Sequence, residues 1–107
     1  MALKIAPDNM DAITNLGIVC IELKKYPEAV KHLQRVVSHD PGSIQAQFAL
    51  GRVLAETGQE AEAIRHLTTV VEAQPAATEA HLKLAELYEQ QGHHALAIKH
   101  REMASGK

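Results

Sequence analysis

Apolar residues recur at helical spacing along the chain, and the middle third shows the pattern most clearly. Phe48, Leu50, Gly51, Val53 and Leu54 fall on one predicted helix. Ser43 stands before it, and its hydroxyl can accept from a free amide of the first turn. Thr57-Gly58-Gln59 predicts a turn, after which Ala63, Ile64, Leu67, Val70 and Val71 define a second helix. Pro75 ends that helix, because its ring removes an amide N–H and disfavours helical backbone in the residue ahead of it. A turn this short makes the two helices antiparallel.

The pattern repeats with a step of 34 residues. Pro7, Pro41 and Pro75 keep this register, as do Leu16, Leu50 and Leu84. So do Gly17, Gly51 and Ala85, then Ala29, Ala63 and Ala97, then Leu33 and Leu67, then Val36 and Val70. Residues 9–42, 43–76 and 77–107 are therefore expected to be three helix-pair units, the last with a shortened or terminal second helix. Because Pro7 is in register, residues 1–8 are expected to be the end of a preceding second helix, cut from a longer protein. Gly92 supplies the turn of the third unit. Lys24-Lys25-Tyr26-Pro27 supplies that of the first, with Pro27 opening the second helix.

Residue size follows the same logic. Ile13, Leu16, Gly17 and Cys20 share the face of the first helix expected to meet its partner. Small residues there, and at Ala29, Ala63 and Ala97, let paired backbones approach closely while Leu and Val fill the flanks. Each pair leaves apolar surface that the next pair buries.

Composition narrows the class further. Hydrophobic residues make up 46% of the chain and aromatic ones only 3%, so the core must be Leu, Ile, Val and Ala. A single cysteine, Cys20, excludes an internal disulfide, and with no His or Lys beside it the expectation is a small buried apolar group. The formal charge is −2, from 11 basic and 13 acidic residues, which gives no basic face for nucleic acid. No apolar run approaches the roughly 18–20 residues that insertion into a membrane requires. Met1-Ala2-Leu3-Lys4-Ile5-Ala6-Pro7 is not a signal peptide, so a cytoplasmic place is expected.

The repeat resembles the tetratricopeptide repeat, whose 34-residue unit carries a Leu-Gly pair, then Tyr, Ala, an aromatic or Leu, and Pro. The first unit supplies Leu16, Gly17, Ala29, Leu33 and Pro41, and the second Leu50, Gly51, Ala63, Leu67 and Pro75. The third supplies Leu84, Ala85, Tyr88 and Ala97, and Tyr26 falls where the family often has an aromatic in the turn. Departures are Ile13, Gln47 and His81 at the early Trp position, and Cys20 and Leu54 where Tyr is usual. Arg101 replaces the apolar residue that Leu33 and Leu67 lead one to expect. A terminal unit needs a polar outer face, so with Arg101 and Ser105-Gly106-Lys107 this end is expected to lie near a natural terminus.

The resemblance implies an all-α, right-handed superhelical solenoid whose first helices line a concave groove for an extended or helical peptide. At about 100° per residue, Asp11, Thr14, Ile18 and Ile21 share a second face of the first helix. The matching sets are Gln45, Phe48, Arg52 and Ala55 in the second unit, and Glu79, Leu82, Glu86 and Glu89 in the third. This face should meet solvent, yet it holds Ile18, Ile21, Phe48 and Leu82, as a peptide groove would. The other reading is that these residues pack between neighbouring helices as the row curves. Phe48 and Arg52 are the expected anchors, because aromatic and Arg side chains dominate binding hot spots. Glu79, Glu86 and Glu89 point to a protein or peptide partner that is basic at one end. Unit three offers Lys83 but has Glu79 where the family's dicarboxylate-binding members need Lys, so that clamp is not expected.

Other chemistry finds little support. His32, His66 and His100 recur at the repeat interval, but successive second helices lie roughly 8–10 Å apart, too far for one metal with bonds near ~2 Å. Each is expected to be a partly exposed surface histidine, and His93-His94 to lie in a turn. Ser38, Ser43 and Ser105 sit in no nucleophile motif, and the glycines form no phosphate loop, so neither an enzyme nor a cofactor is expected. The leading reading is a non-catalytic protein-interaction scaffold. The alternatives are a self-assembly module forming a homo-oligomer through exposed repeat ends, and the substrate-selecting arm of a larger enzyme.

Overall fold

A computed structural model describes residues 9–106. The expected helix end at residues 1–8 lies outside the described residues. Six helices follow one another: α1 (Met10–Glu22), α2 (Tyr26–His39), α3 (Ile44–Glu56), α4 (Glu60–Ala73), α5 (Thr78–Gln90) and α6 (His94–Ala104). Among the described residues there is no strand. Packing is tightest within α1–α2, α3–α4 and α5–α6, and α2–α3 and α4–α5 join successive pairs. The result is an α-solenoid, an elongated row measuring 54 × 24 × 20 Å.

Local sequence sets the helix boundaries. Asn9 Oδ1 accepts from the Ala12 amide at 3.1 Å, and Ser43 Oγ faces the Ala46 amide at 3.4 Å, so α1 and α3 begin on capping side chains. Gly58 and Gly92 end α3 and α5 with φ +80, a left-handed conformation that needs no Cβ. Lys24 occupies the same register with φ +61 and carries a Cβ there. Pro27 lies in the first turn of α2, but the helix opens one residue earlier, at Tyr26.

The closest approach within a pair is Gly against Leu. A Cβ added to Gly51 would stand 2.7 Å from Leu67 Cγ, and one added to Gly17 would stand 2.7 Å from Leu33 Cγ. Leu33 and Leu67 are fully buried, so neither can swing aside. The third pair solves the same contact differently. Arg101 stands where the Leu would be, half-exposed, and its guanidinium leaves for Glu89 Oε1 at 3.0 Å. The vacated space admits the Cβ of Ala85, which is buried. Ala85 and Arg101 in unit three are thus one structural change.

One core expectation fails. Leu50 and Leu84 are fully buried, but Leu16 is 47% exposed. Helices α3 and α5 each have a helix pair packed ahead of them, and among the described residues α1 has none. Ile13, Gly17 and Cys20, on the same helix, are buried as expected.

Gly51→Ala is expected to destabilise by about 1–3 kcal/mol through overpacking, although Ala is the better helix former. In a Leu67→Ala background the same substitution should be neutral or stabilising. Urea denaturation of the four proteins in this cycle measures the difference, and an equal cost in both backgrounds would dismiss the contact.

Candidate functional site

Curvature identifies the inner face. The first helices approach one another, α1 with α3 and α3 with α5, whereas α2, α4 and α6 make no such contacts. The row therefore bends toward the first helices, and α1, α3 and α5 line its concave side.

Two adjoining cavities open on α3 and α5. The larger, about 440 Å³, is bounded by Ile44, Gln45, Phe48, Val70, Gln74 and the start of α5 from Ala77 to Ala80. The smaller, about 170 Å³, lies among Phe48, Arg52, Glu79, Leu82, Lys83 and Glu86. Phe48 and Glu79 belong to both. Phe48 is half-buried, and the Arg52 guanidinium carbon lies 6.0 Å from its ring centroid, at the outer reach of a cation–π contact. Lys83 Nζ lies 3.6 Å from Glu86 Oε1, so this pair is locally neutral.

The structure thus brings together Gln45, Phe48, Arg52, Glu79, Leu82 and Glu86 of the expected groove. Asp11, Ile18 and Ala55 border neither cavity; Asp11 is exposed, and Ile18 and Ala55 are partly buried against the core. Three expected groove residues are placed elsewhere. Thr14 is buried and its hydroxyl donates to the Met10 carbonyl at 2.7 Å. Ile21 is buried in the core, because α1 leans on α3 along this side. Glu89 turns to α6, where it accepts from Arg101 and pairs with His94. The Arg101 hydrogen bond, followed by that of His94, holds its carboxyl below the usual carboxylate range. Sequence reasoning missed Ile44, Val70, Gln74 and Thr78, which meet across the junction of successive units.

Behind the groove, polar side chains link the two helices of a pair. Gln47 Nε2 donates to the Pro41 carbonyl at 2.9 Å. Its Oε1 therefore accepts from His66 Nδ1, at 2.7 Å. One unit later, His81 Nε2 donates to the Pro75 carbonyl at 2.8 Å, and His81 Nδ1 meets His100 Nδ1 at 2.9 Å. Gln47 and His81 fill the position of the family's early Trp, so the polar departures carry a bond system of their own. Ile13, at that position in unit one, has no polar atom to offer.

These bonds correct the expectation for the histidines. His66 is buried, not at the surface, and its Nε2 has no partner among the described residues. Burial first, then neighbouring Arg65, lower its pKa against an opposing pull from Glu62. His100 is half-buried, and burial, His81 and Lys99 lower its pKa. Among the described residues no three His, Cys, Asp or Glu side chains converge as a metal site would need. Nor is any described helix long and apolar enough to cross a membrane.

The family model of the tetratricopeptide repeat matches residues 2–53, 21–75 and 54–100. Among solved structures, a MamA point mutant is 32% identical with a TM-score of 0.86, over 96% of this chain and 75% of that one. MamA AMB-1 is 33% identical with a TM-score of 0.86, over 94% of this chain and 55% of that one. A chain of the CopN-Scc3 complex shares the fold, with a TM-score of 0.85 at 20% identity, over 94% of this chain and 59% of that one. The chain thus spans little more than half of two of these three. No curated protein matches it.

The buried His66 makes stability depend on pH. Its proton is held less well in the folded state than at the ordinary 6.5, so the unfolded chain binds more protons. Its contribution is complete above about 6.5 and declines as the pH falls below that value. Urea midpoints from pH 8 to 5 should fall on the acid side. His66→Gln, which keeps an amide donor for Gln47, should flatten the decline.

Proposed function

As this chain belongs to the tetratricopeptide repeat family, a family of protein-interaction scaffolds, we propose that it is a non-catalytic one holding a partner segment against α3 and α5. The carrying observation is Phe48, half-buried on the concave side and shared by two adjoining cavities. An aromatic ring held in place by its neighbours presents apolar area without losing much side-chain freedom on binding. Around it the sites differ in charge. The larger cavity has one ionisable lining residue, Glu79, whereas in the smaller one Arg52 and Lys83 offset Glu79 and Glu86. The fitting partner is a peptide or helix with an apolar anchor over Phe48 and a Lys or Arg on the Glu79 side. Electrostatic complementarity of this kind sets orientation and register.

Peptide libraries are expected to yield binders that pair an apolar residue with a basic one. Phe48→Ala should weaken the selected peptide by about 30-fold, as loss of a hot spot does, with far-ultraviolet circular dichroism unchanged. Glu79→Lys should weaken basic peptides selectively. Unchanged affinity in Phe48→Ala/Arg52→Glu would remove the groove.

A second reading, self-association, is favoured by the side of α1 that no described helix covers. Leu16, Val19 and Leu23 are 47%, 46% and 61% exposed. Leu16 and Val19 border a largely apolar recess of about 310 Å³ with Ala12, Ile13 and Asn15. Their counterparts Leu50 and Val53 are fully buried. Light scattering over a concentration series should show mass growth that Leu16→Glu/Val19→Glu abolishes, and a constant monomer mass would reject this reading.

A further inference from the structure

We propose that the His81–His100 pair is a proton-operated latch that holds α6 on α5 near neutral pH and lets it go in mild acid. Two nitrogens 2.9 Å apart can share only one hydrogen between them. The Pro75 carbonyl can only accept, so His81 Nε2 carries a hydrogen and neutral His81 turns a lone pair at Nδ1. His100 Nδ1–H donates into that lone pair. A first added proton can go onto His100 Nε2 and leave the bond intact, although burial and Lys99 oppose it. A second has to go onto His81 Nδ1, where it meets the N–H of His100. Once the rings have separated, both nitrogens can carry hydrogen without that clash, so acid favours the released form.

The helix this bond holds buries little of its own side-chain surface. Ala97 is the only buried residue of α6, whereas α4 buries Ala63, His66, Leu67 and Val70. Leu96, Ile98 and Met103 of α6 are exposed. Among the described residues α6 packs on α5 alone. An element that buries so few of its own side chains opens locally at lower cost than its counterparts.

The surrounding charges do not replace the latch. On α5, Tyr88 stacks on His100 at 5.6 Å between ring centroids, and Lys83 is engaged with Glu86. His93, at the turn, meets Tyr88 edge-on at 6.2 Å. On α6, Lys99 adds positive charge and Glu102 is exposed, while Arg101 is spent on Glu89. His94 tightens on Glu89 when protonated and so works against release, but the pair is exposed and weak. The helix α4, packed behind α5, offers buried Ala63, Leu67 and Val70, none charged, and His66 is tied to Gln47. From α3, Arg52 lies on the groove side.

The preceding unit supplies the control. Gln47 makes both bonds of this system with an amide that does not titrate. In His81→Gln the amide can donate to the Pro75 carbonyl and accept from His100 Nδ1–H in either charge state. Hydrogen exchange of α6 amides, corrected for intrinsic rates, reads the open population directly and does not depend on the groove reading. In the wild type that population should rise by about tenfold or more between pH 7 and 5, since each extra proton bound by the open form allows up to about tenfold per pH unit. In His81→Gln, where burial and Lys99 still oppose a proton on His100, the rise should be smaller by about threefold or more. His100→Gln, which can donate to neutral His81 and accept from its protonated form, serves if His81→Gln fails to fold. Flat wild-type exchange, or an equal acid rise in the variant that folds, would overturn the latch.

Discussion

The solenoid depends on one steric fit, a glycine backbone lying against a leucine branch. At Gly17 with Leu33 and at Gly51 with Leu67, no β-carbon fits between the two helices of a pair. That approach brings the flanking Leu50, Val53, Leu54 and Ala63 into full burial and fixes the geometry from which the next pair continues. Only then do α1, α3 and α5 stand close enough to bend the row and form a concave side. Phe48 and the adjoining cavities are products of this curvature.

The third pair relaxes the fit, and much that is particular to this chain follows. Ala85 fills the space that Arg101 leaves, and the arginine is held at the surface by Glu89. An apolar contact has been exchanged for an ion pair, which is worth less in water. Polar links therefore carry more of the burden at α6, and the imidazole pair is the most buried of them.

Much of this was legible in the residues. The register of Leu, Gly, Ala and Pro located the helix pairs because it recorded contacts between neighbours in sequence. The groove was legible at Phe48, Arg52 and Glu79, where helical angle alone separates the faces. It failed at Thr14 and Ile21, because the lean of α1 on α3 depends on how far the row bends. It failed at Leu16, since burial there depends on what packs ahead of α1. The histidines were misread for another reason. Gln47 and His81 were recognisably polar at an apolar position, but their partners lie 19 residues on, across the helix pair. Finding them requires the rotation of one helix against the other, which spacing along a single helix does not contain.

The exchange of Gly and Leu for Ala and Arg also bears on how the chain avoids tangling. Nearly alike helices in one polymer can trade mates, and misassembly is a characteristic failure of repeat proteins. Here α5 paired with α2 or α4 would set the Ala85 methyl against Leu33 or Leu67, the same overpacking that Gly51→Ala would create. Nor can α1 or α3 close well on α6, since Arg101 would leave a gap beside the glycine. One methyl group thus makes the α5–α6 hairpin a poorer match for the other two than they are for each other.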